Sequence, residues 1–268
     1  MLISESLVVG GIVTIRRTRT QMAVQMLADH SEVARGHLTH PRVVTSSNGY
    51  VIARFHAEPS FRRLITQADI VDADGMPLIF ATKLLCKSPL VERVATTDFI
   101  HDAAQAAIRN DLKFYFLGGK PGIALRAADN LRAIHDGLDI VGLRHGYFKP
   151  EEEESICEEI RALDTDVLWV GLGSPYQEAF AIRNRERLKG LTWIRTCGGL
   201  FDHCAGTVTR APQWMRQAGL EWLHRAMKEP VRLGGRYLVT NPLAAYHLLT
   251  KTYDTSSQRF RRLKHYRH

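Results

Sequence analysis

The feature that most constrains the fold is a regular alternation of two kinds of segment between residues 7 and 206. Short apolar runs rich in β-branched residues are followed by longer segments whose apolar residues recur at helical spacing. A run such as DVLWVGLG is apolar throughout, which is typical of a strand buried on both faces of a parallel sheet. The alternation therefore predicts an α/β fold, with a parallel sheet whose crossover helices cover both faces.

The N-terminal apolar stretch, LVVGGIVTI at residues 7–15, is short and interrupted by glycines, and no charged segment precedes it. It is therefore predicted to be the first strand and not a signal peptide. No apolar run reaches the roughly 18 residues that a transmembrane helix needs, so none is expected. The chain has 268 residues, of which 45% are hydrophobic. This is enough for one large domain, or for one domain and a smaller additional unit.

Charge is distributed unevenly along the chain. Residues 207–268 hold 12 Lys and Arg against 3 Asp and Glu, whereas residues 1–206 are close to neutral. Within the basic part, residues 214–229 place apolar side chains on one helical stripe, and Pro230 ends the pattern. We therefore divide the chain into an α/β domain, 1–206, and a basic amphipathic appendage, 207–268. The appendage predicts an anionic partner, namely membrane phospholipid, nucleic acid or a phosphorylated substrate.

Polar loops at the carboxyl ends of the predicted strands are the places where a parallel α/β sheet binds ligands. Five such loops occur: SSN at 46–48, DADG at 72–75, LGGKPG at 117–122, GLGSPYQE at 171–178 and CGGLFDHCAG at 197–206. Candidate functional residues are therefore sought in these loops.

In DADG, Asp72 and Asp74 form a D-x-D pattern, which places both side chains on the same side of an extended strand. One interpretation is a divalent metal that bridges the diphosphate of a sugar nucleotide. A second is that Asp74, before Gly75, is a general base while Asp72 is structural. A third is an Asp-Gly turn with capping contacts only. The spacing alone does not decide between these three interpretations.

The glycine loops give weaker patterns. Gly118 and Gly119 lie in a strand-to-helix connection whose N–H groups can cradle a phosphate, although no dinucleotide or P-loop fingerprint is present. Gly171 and Gly173 permit a tight turn and close approach of a ligand, and Gln177 can donate and accept hydrogen bonds. The structural alternatives are a simple turn at LGGKPG and a helix start with a solvated Gln177.

Cysteine and histidine spacing favours no metal centre. The cysteines form no C-x-x-C pair, which indicates reduced thiols. Asp202, His203 and Cys204 are adjacent, and a metal site there is a less favoured alternative. No H-E-x-x-H pattern and no G-x-S-x-G nucleophile elbow occurs, so an α/β-hydrolase has no nucleophile here.

Seven strings of the sequence occur together in one known family. They are ADIVDADGMPL, FLGGKPG, HGYF, DVLWVGLGSPYQE, CGGLFDHCAGTVTRAPQW, GLEWLHR and EPVR. In this order, over roughly residues 7–240, they resemble the WecG/TagA/CpsF glycosyltransferases, glycosyltransferase family 26. The resemblance implies a Rossmann-like α/β domain with a C-terminal helical appendage that meets the membrane and completes the active site.

The resemblance also implies an activity. Enzymes of this family transfer a sugar, often N-acetylmannosamine or its uronic acid, from a UDP-sugar to a polyprenyl-diphosphate-linked saccharide, with inversion at the anomeric carbon. They act at the cytoplasmic face of the cell membrane, in bacterial surface or exopolysaccharide synthesis. The implied partners are the UDP-sugar donor, the lipid-linked acceptor and the anionic inner-membrane surface, and no metal or other cofactor is implied. UDP-glucose is an alternative donor, and a homo-oligomer is compatible with the sequence.

Matching positions assign roles to individual residues. Asp74 falls on the family's proposed base and Gln177 on its active-site glutamine, so the GLGSPYQE loop is expected to hold the donor sugar. Arg225 and Arg232 match arginines thought to neutralise the diphosphates. Slightly further on, where the family often has two adjacent arginines, this sequence has a glycine followed by Arg236.

Other positions are assigned to substrate binding. Asn48 matches the asparagine of the family's T-x-N motif, whose threonine falls on Ser46, or on Thr45 in a register shifted by one residue. Arg93 and Asp98 match the ends of an R-v-x-G-x-D string. The remaining assigned residues lie in the glycine loops and in the R-A-P motif: Gly118, Gly119, Gly171, Gly173, Gly199, Asp202 and Arg210.

Three other functions are less favoured. A nicotinamide-dependent dehydrogenase needs a glycine fingerprint after the first strand, where only Gly10 and Gly11 occur. A nucleic-acid-binding protein would explain the basic tail but not the glycine loops, so no nucleic-acid partner is expected. A catalytically inactive family member that acts as a membrane-associated scaffold is the stronger alternative, and the presence of both Asp74 and Gln177 argues against it.

Overall fold

The structure, a computed structural model, describes residues 6–255 and begins with an antiparallel hairpin. Strands β1 (Ser6–Val9) and β2 (Ile12–Ile15) are joined by Gly10 and Gly11, whose φ angles of +57° and +87° reverse the chain. The prediction of a single first strand is therefore wrong, because both glycines adopt the left-handed conformation of a turn. The hairpin forms its own small sheet beside the main one.

A six-stranded parallel sheet forms the centre of the molecule. Its strands are β3 (Arg42–Ser47), β4 (Ile70–Ala73), β5 (Phe114–Gly118), β6 (Ile140–Arg144), β7 (Val167–Gly171) and β8 (Trp193–Thr196). Their order across the sheet is β4-β3-β8-β7-β5-β6, and each pair of neighbours is parallel. The predicted α/β fold with a Rossmann-like parallel sheet is confirmed.

Within the described residues, the α-helices occupy the connections between strands and the C-terminal part of the chain. They are α1 (Arg19–Ala34), α2 (Gly49–Ala57), α3 (Pro59–Thr66), α4 (Met76–Leu85), α5 (Thr96–Ile108), α6 (Ile123–Ile134), α7 (Glu153–Ala162), α8 (Tyr176–Arg183), α9 (Leu200–Cys204), α10 (Gln213–Gln217), α11 (Glu221–Lys228) and α12 (Gly235–Thr250). A 3₁₀ turn precedes α7, and a π-helical turn, Pro230–Gly234, joins α11 to α12.

Helices cover both faces of the parallel sheet, as predicted. Successive residues of β5 show the alternation: Phe116 packs with α1, α5, α6 and α9, whereas Tyr115 packs with α7 and α8. The buried rings of Trp169 and Trp193 belong to the first of these two cores. The central strands are therefore enclosed on both sides, which explains why β5 and β7 are apolar throughout.

Two segments with continuous helical patterns are each divided in the structure. NGYVIARFHAEPSFRRLITQA forms α2 and α3, because Pro59 has no N–H with which to continue the first helix. Residues 214–229, predicted as one helix, form parts of α10 and α11, which are separated at Gly219 with a φ of +75°. The amphipathic stripe predicted for this segment is therefore interrupted.

The C-terminal part of the described chain packs against the α/β body. Helix α12 lies against α2, where Ala244 and Leu248 join the core formed by α2, α3 and α4. The short strand β9 (Tyr253–Asp254) then pairs with β1. The basic terminus SSQRFRRLKHYRH, residues 256–268, lies outside the described residues. The boundary at residues 206 and 207 stays a prediction.

Gly118, at the end of β5, makes a backbone contact that a larger residue would prevent. Its φ is +147°, and a Cβ added there would lie 2.3 Å from the carbonyl oxygen of Gly171. We expect Gly118→Ala to lower the free energy of unfolding by about 2–4 kcal/mol, since two neighbouring strand ends must separate. Denaturant unfolding measures this change. Gly235→Ala is the control, because nothing lies within 4 Å of an added Cβ there and its φ is −59°. Equal midpoints for the two variants would contradict the expectation.

Candidate active site

A cavity of about 510 Å³ lies at the carboxyl ends of β3, β4, β7 and β8. Side chains of α11 and α12, among them Trp222 and Arg236, complete its wall. This position is where ligands bind in open parallel α/β sheets. The cavity brings together eight of the residues assigned from the sequence: Ser46, Asn48, Asp74, Arg93, Gly173, Gln177, Gly199 and Arg225.

Asp74 follows β4 directly, and its backbone N–H donates to the carbonyl oxygen of Ser47 at 2.8 Å. This bond holds the DADG loop against the end of β3, and the half-buried Asp74 side chain lines the cavity. Burial raises the pKa of Asp74 from 3.8 to about 6, and the negative charges of Asp72 and Glu221 add to the increase. A carboxylate with this pKa is ionised at pH 7 and can still accept a proton from a substrate.

Asp72 does not line the cavity with Asp74. Its carboxylate is fully buried, 2.7 Å from the fully buried guanidinium of Arg195 on β8. Arg195 also donates to the hydroxyls of Ser46 at 3.0 Å and Thr96 at 3.3 Å. The two carboxylates of D-x-D therefore have different surroundings. Asp74 thus faces the cavity while Asp72 is neutralised inside the fold, and a catalytic role for Asp74 stays a prediction.

The polar residues at the end of β3 differ in their partners. The Asn48 carboxamide oxygen accepts the backbone N–H of Val51 at 3.1 Å and caps α2, so its NH₂ group is the part that can donate to a ligand. Thr45, the alternative to Ser46 in the shifted register, is buried and accepts a hydrogen bond from Thr196 at 2.8 Å. Both Thr45 and Ser46 line the cavity, so the structure leaves both registers in contact with the site.

Hydrogen bonds in the GLGSPYQE loop centre on Gln177. Its carboxamide oxygen accepts the backbone N–H of Gly198 at 2.9 Å, and its NH₂ group donates to the Glu178 carboxylate at 2.9 Å. Gly173, with a φ of +76°, supplies the turn that precedes α8. Both Gln177 and Glu178 are buried, so the alternative of a solvated first helical turn is wrong. The loop therefore ties the end of β7 to the end of β8 and fixes one orientation of the Gln177 amide.

Arg93 and Asp98 belong to a network of charges beside the cavity. Asp98 accepts two hydrogen bonds from Arg210, at 2.6 and 3.1 Å, and lies 3.6 Å from Arg93. Arg93 in turn donates to Glu221 of α11 at 2.9 Å. Burial alone would raise the pKa values of Asp98 and Glu221, but the neighbouring arginines lower both. The network anchors α11, and with it Arg225, to the α/β body.

Two other guanidinium groups line the cavity, and their neighbours are uncharged rings. Arg225 donates to the ring of His203 at 3.1 Å. Arg236 lies over the rings of Tyr50 and Tyr237, 4.7 and 5.0 Å from their centroids. Within residues 6–255, neither guanidinium forms an ion pair with a carboxylate. Both charges are therefore available to an anionic ligand.

The other assigned residues lie away from the cavity wall. Gly118, Gly119 and Gly171 pack against one another at the ends of β5 and β7, where the Gly119 N–H donates to Gly171 at 3.2 Å. Asp202 is on α9, and Arg210 lines a second cavity of about 170 Å³. A role for these five in substrate binding stays a prediction. The Arg232 side chain lies outside the described part of the structure, although its backbone belongs to the π-helical turn.

Sequence patterns did not single out several residues of the site. The signal for Arg195 is a lone cation inside the apolar strand WIRT, which requires a buried anion nearby. Glu221, Tyr50 and Tyr237 give no comparable signal, because each is an ordinary residue of an amphipathic helix. Tyr50 reaches the cavity at the start of α2, and the packing of α11 and α12 beside the strand ends brings Glu221 and Tyr237 to it.

A sequence model of the glycosyl transferase WecG/TagA/CpsF family matches residues 11–258 of the chain. The protein belongs to this family. Membership is consistent with transfer of a sugar in the synthesis of cell-surface polymers and implies, in general, a sugar donor and an acceptor for the WecG/TagA/CpsF protein described here. The string R-v-x-G-x-D has Thr96 in place of its glycine. Thr96 begins α5 without a positive φ, so the exchange is compatible with the backbone of this chain.

Two further observations concern the surroundings of the site. None of the helices within residues 6–255 has the length and apolar character needed to cross a bilayer. In the same part of the chain, no three His, Cys, Asp or Glu side chains are grouped as metal ligands.

Proposed function

We propose that this WecG/TagA/CpsF protein is an inverting glycosyltransferase. It transfers a sugar, of the N-acetylmannosamine type or another hexose, from a UDP-sugar to a polyprenyl-diphosphate-linked saccharide. The product would serve bacterial surface or exopolysaccharide synthesis. One observation carries the proposal: a single cavity holds the carboxylate of Asp74 together with the guanidinium groups of Arg225 and Arg236. A base for the acceptor and cations for a leaving diphosphate are the groups that this transfer needs.

In the proposed reaction, Asp74 accepts the proton of the acceptor hydroxyl while that oxygen attacks the anomeric carbon of the donor. The bond between this carbon and the β-phosphate oxygen breaks as the new glycosidic bond forms, so the configuration inverts. The electron pair of the broken bond stays with UDP and increases the negative charge on its β-phosphate. The pKa of Asp74, about 6, allows the proton to return to solvent at neutral pH.

Arg225 is the proposed partner of the β-phosphate, with Arg236 beside it. A guanidinium presents paired N–H groups that match phosphate oxygens, and its interaction strengthens as charge develops on the leaving group. Gln177 would hold the donor sugar, because its amide is fixed by Gly198 and Glu178 and has an N–H left for a hydroxyl. Arg232 would contribute a further cation.

Removal of the Arg225 guanidinium is expected to be costly. Arg225→Ala should lower kcat/KM by about 10²-fold, and Arg225→Lys should restore only part of the loss, since an ammonium cannot make the paired contact. Steady-state release of UDP measures the effect. Arg126→Ala, an exposed arginine of α6, is the matched control. Activity of Arg225→Ala within threefold of the control would contradict the assignment.

The donor is identified by measuring UDP release from a panel that contains UDP-N-acetylmannosamine, its uronic acid and UDP-glucose. A short-chain polyprenyl-diphosphate-linked sugar serves as the acceptor, and each assay is run with and without a chelator. We expect acceptor-dependent turnover with one donor that persists in the presence of chelator. Absence of acceptor-dependent UDP release from every donor would contradict the proposed function and favour the scaffold alternative.

Attachment to the cytoplasmic face of the cell membrane is the proposed location. Apolar side chains of the C-terminal helices are exposed, among them Val231 at 99%, Leu238 at 79% and Val239 at 71%. Apolar surface of this kind binds the interfacial zone of a bilayer, and each basic residue near an anionic leaflet adds about 1 kcal/mol. The anionic inner-membrane surface is therefore the proposed partner of the segment 207–268.

Binding to vesicles tests this location. The double variant Leu238→Glu/Val239→Glu is expected to weaken co-sedimentation of the full chain with phosphatidylglycerol-containing vesicles by about tenfold or more, because two apolar contacts become charged. Ile134→Glu is the matched control, since Ile134 is 64% exposed on α6. If the double variant and the control bind these vesicles equally well, α12 is not the membrane contact.

A further inference from the structure

His203, on α9, contacts the cavity and the catalytic-site arginine at the same time. Its Nδ1 lies 3.2 Å from the carbonyl oxygen of Val208, and its Nε2 lies 3.1 Å from Nη2 of Arg225. A carbonyl oxygen can only accept a hydrogen bond, and a guanidinium can only donate one. The ring is therefore neutral, with its proton on Nδ1 and the lone pair of Nε2 directed at Arg225.

We propose that His203 is a positioning residue that orients Arg225 by accepting its hydrogen bond without bringing a negative charge to it. The inference rests on the proposed function, in which Arg225 binds the diphosphate of the leaving nucleotide. It concerns a residue whose sequence context, beside Cys204 and Asp202, suggested only a metal site. The short contact between Nε2 and the guanidinium indicates instead that His203 orients Arg225.

The neighbouring arginines show why an uncharged hydrogen-bond acceptor for Arg225 matters. Arg93 is held by Glu221 at 2.9 Å and Arg210 by Asp98 at 2.6 Å, so each of these guanidiniums already has an anionic partner. A carboxylate in the place of His203 would orient Arg225 equally well but would compete with a phosphate for its charge. The imidazole fixes the direction of the guanidinium and leaves the charge for the ligand.

The groups around His203 keep the ring neutral. Burial lowers the pKa of His203, and the positive charge of Arg225 on α11 lowers it further. Arg210 acts in the same direction, while Glu221 of α11 and the Val208 carbonyl act in the opposite one. Protonation would remove the lone pair and place two cations 3.1 Å apart, so the contact requires the neutral ring.

The protonation state can be measured without any substrate. Nitrogen-15 NMR of the histidine rings in the full chain at pH 7.5 is expected to show the His203 ring neutral and protonated at Nδ1, assigned by its loss in His203→Gln. A ring protonated at Nε2, or at both nitrogens, would overturn the proposal.

Three substitutions of His203 test separately whether Arg225 needs a hydrogen-bond acceptor and whether that acceptor must be uncharged. His203→Gln keeps a neutral acceptor oxygen near the Nε2 position, His203→Leu removes the acceptor, and His203→Glu makes it anionic. Calorimetric titration with UDP should give a Kd within about threefold of the unmodified protein for Gln, and about tenfold weaker binding for Leu and Glu. If the Glu variant binds UDP as tightly as the Gln variant, the proposal is overturned.

A double-mutant cycle tests whether His203 acts through Arg225. In the Arg225→Ala background, His203→Leu is expected to weaken UDP binding by less than twofold, because the group it positions is absent. A purely structural role predicts the same loss in both backgrounds, and that result would overturn the inference while leaving the proposed function intact. An unmodified protein that binds no UDP would instead contradict both.

Discussion

Replacing Asp74 with asparagine is expected to lower turnover by about 10³-fold while changing the affinity for UDP by less than threefold. Asparagine keeps the shape of the side chain but cannot accept the acceptor's proton, and general-base catalysis contributes about 10²–10⁴-fold to such reactions. Turnover is measured as UDP release and affinity by calorimetry. Asp129→Asn, on α6 outside the cavity, is the matched control. Turnover of Asp74→Asn close to that of the control would remove Asp74 from the mechanism.

The same carboxylate should determine how the activity depends on pH. With a pKa of about 6, Asp74 becomes protonated as the pH falls through that value. The kcat/KM of the unmodified enzyme is therefore expected to be constant near pH 7.5 and to fall tenfold per pH unit below about pH 6. In Asp74→Asn the residual kcat/KM should not show this fall below about pH 6.

The raised pKa also has a consequence for stability. In the unfolded chain Asp74 has its ordinary pKa of 3.8, so between this value and about 6 the folded protein binds more protons than the unfolded one. The contribution of Asp74 to stability is thus fully present below pH 3.8 and is lost as the pH rises through 6. Asp74→Asn should therefore melt a few degrees higher than the unmodified protein at pH 8.

Replacing Arg195 with methionine is expected to destabilise the protein by about 3–5 kcal/mol, because the fully buried carboxylate of Asp72 would lose its counter-charge. Since Arg195 opposes the increase in the pKa of Asp72 that burial causes, this pKa should rise further in the variant. A raised pKa contributes stability at low pH that is lost as the pH rises. Arg195→Met should therefore recover stability when the pH is lowered from 8 towards 5.

Denaturant unfolding with two further variants tests this assignment. Asp72→Asn/Arg195→Met should recover at least half of the loss, since no buried charge remains. Arg35→Met, which breaks the exposed pair with Glu32, should cost less than about 1 kcal/mol. If Arg195→Met costs no more than Arg35→Met, or if the double variant is no more stable than the single one, the buried pair does not stabilise the strand ends.

The parallel sheet could be predicted because its information is local. Strands such as DVLWVGLG are apolar and are followed by residues at helical spacing, so these strands and their crossovers can be recognised without knowing their neighbours. The position of the cavity follows from the same pattern, since parallel strands end at one edge of the sheet. The loops that hold Asp74, Asn48 and Gln177 are therefore expected at this edge of the sheet, and all three residues line the cavity.

The rest depended on contacts between distant segments. Gly10 and Gly11 are compatible with a strand until their positive φ angles are known. The partner of Asp72 is Arg195, 123 positions later in the numbering, and that of Arg225 is His203 on another helix. Gly118 and Gly171 resemble ligand-binding glycines, but in the fold each accommodates the other's backbone. Such pairings are properties of packing, and no single loop contains them.

A crystal structure of the protein with UDP is the most direct test of the site. The account predicts the diphosphate inside the cavity, with oxygen atoms of the β-phosphate about 3 Å from the guanidinium of Arg225 and the Asp74 carboxylate left free on the opposite side for the acceptor. A diphosphate held by a divalent cation on Asp74, with Arg225 turned away from it, would contradict the account.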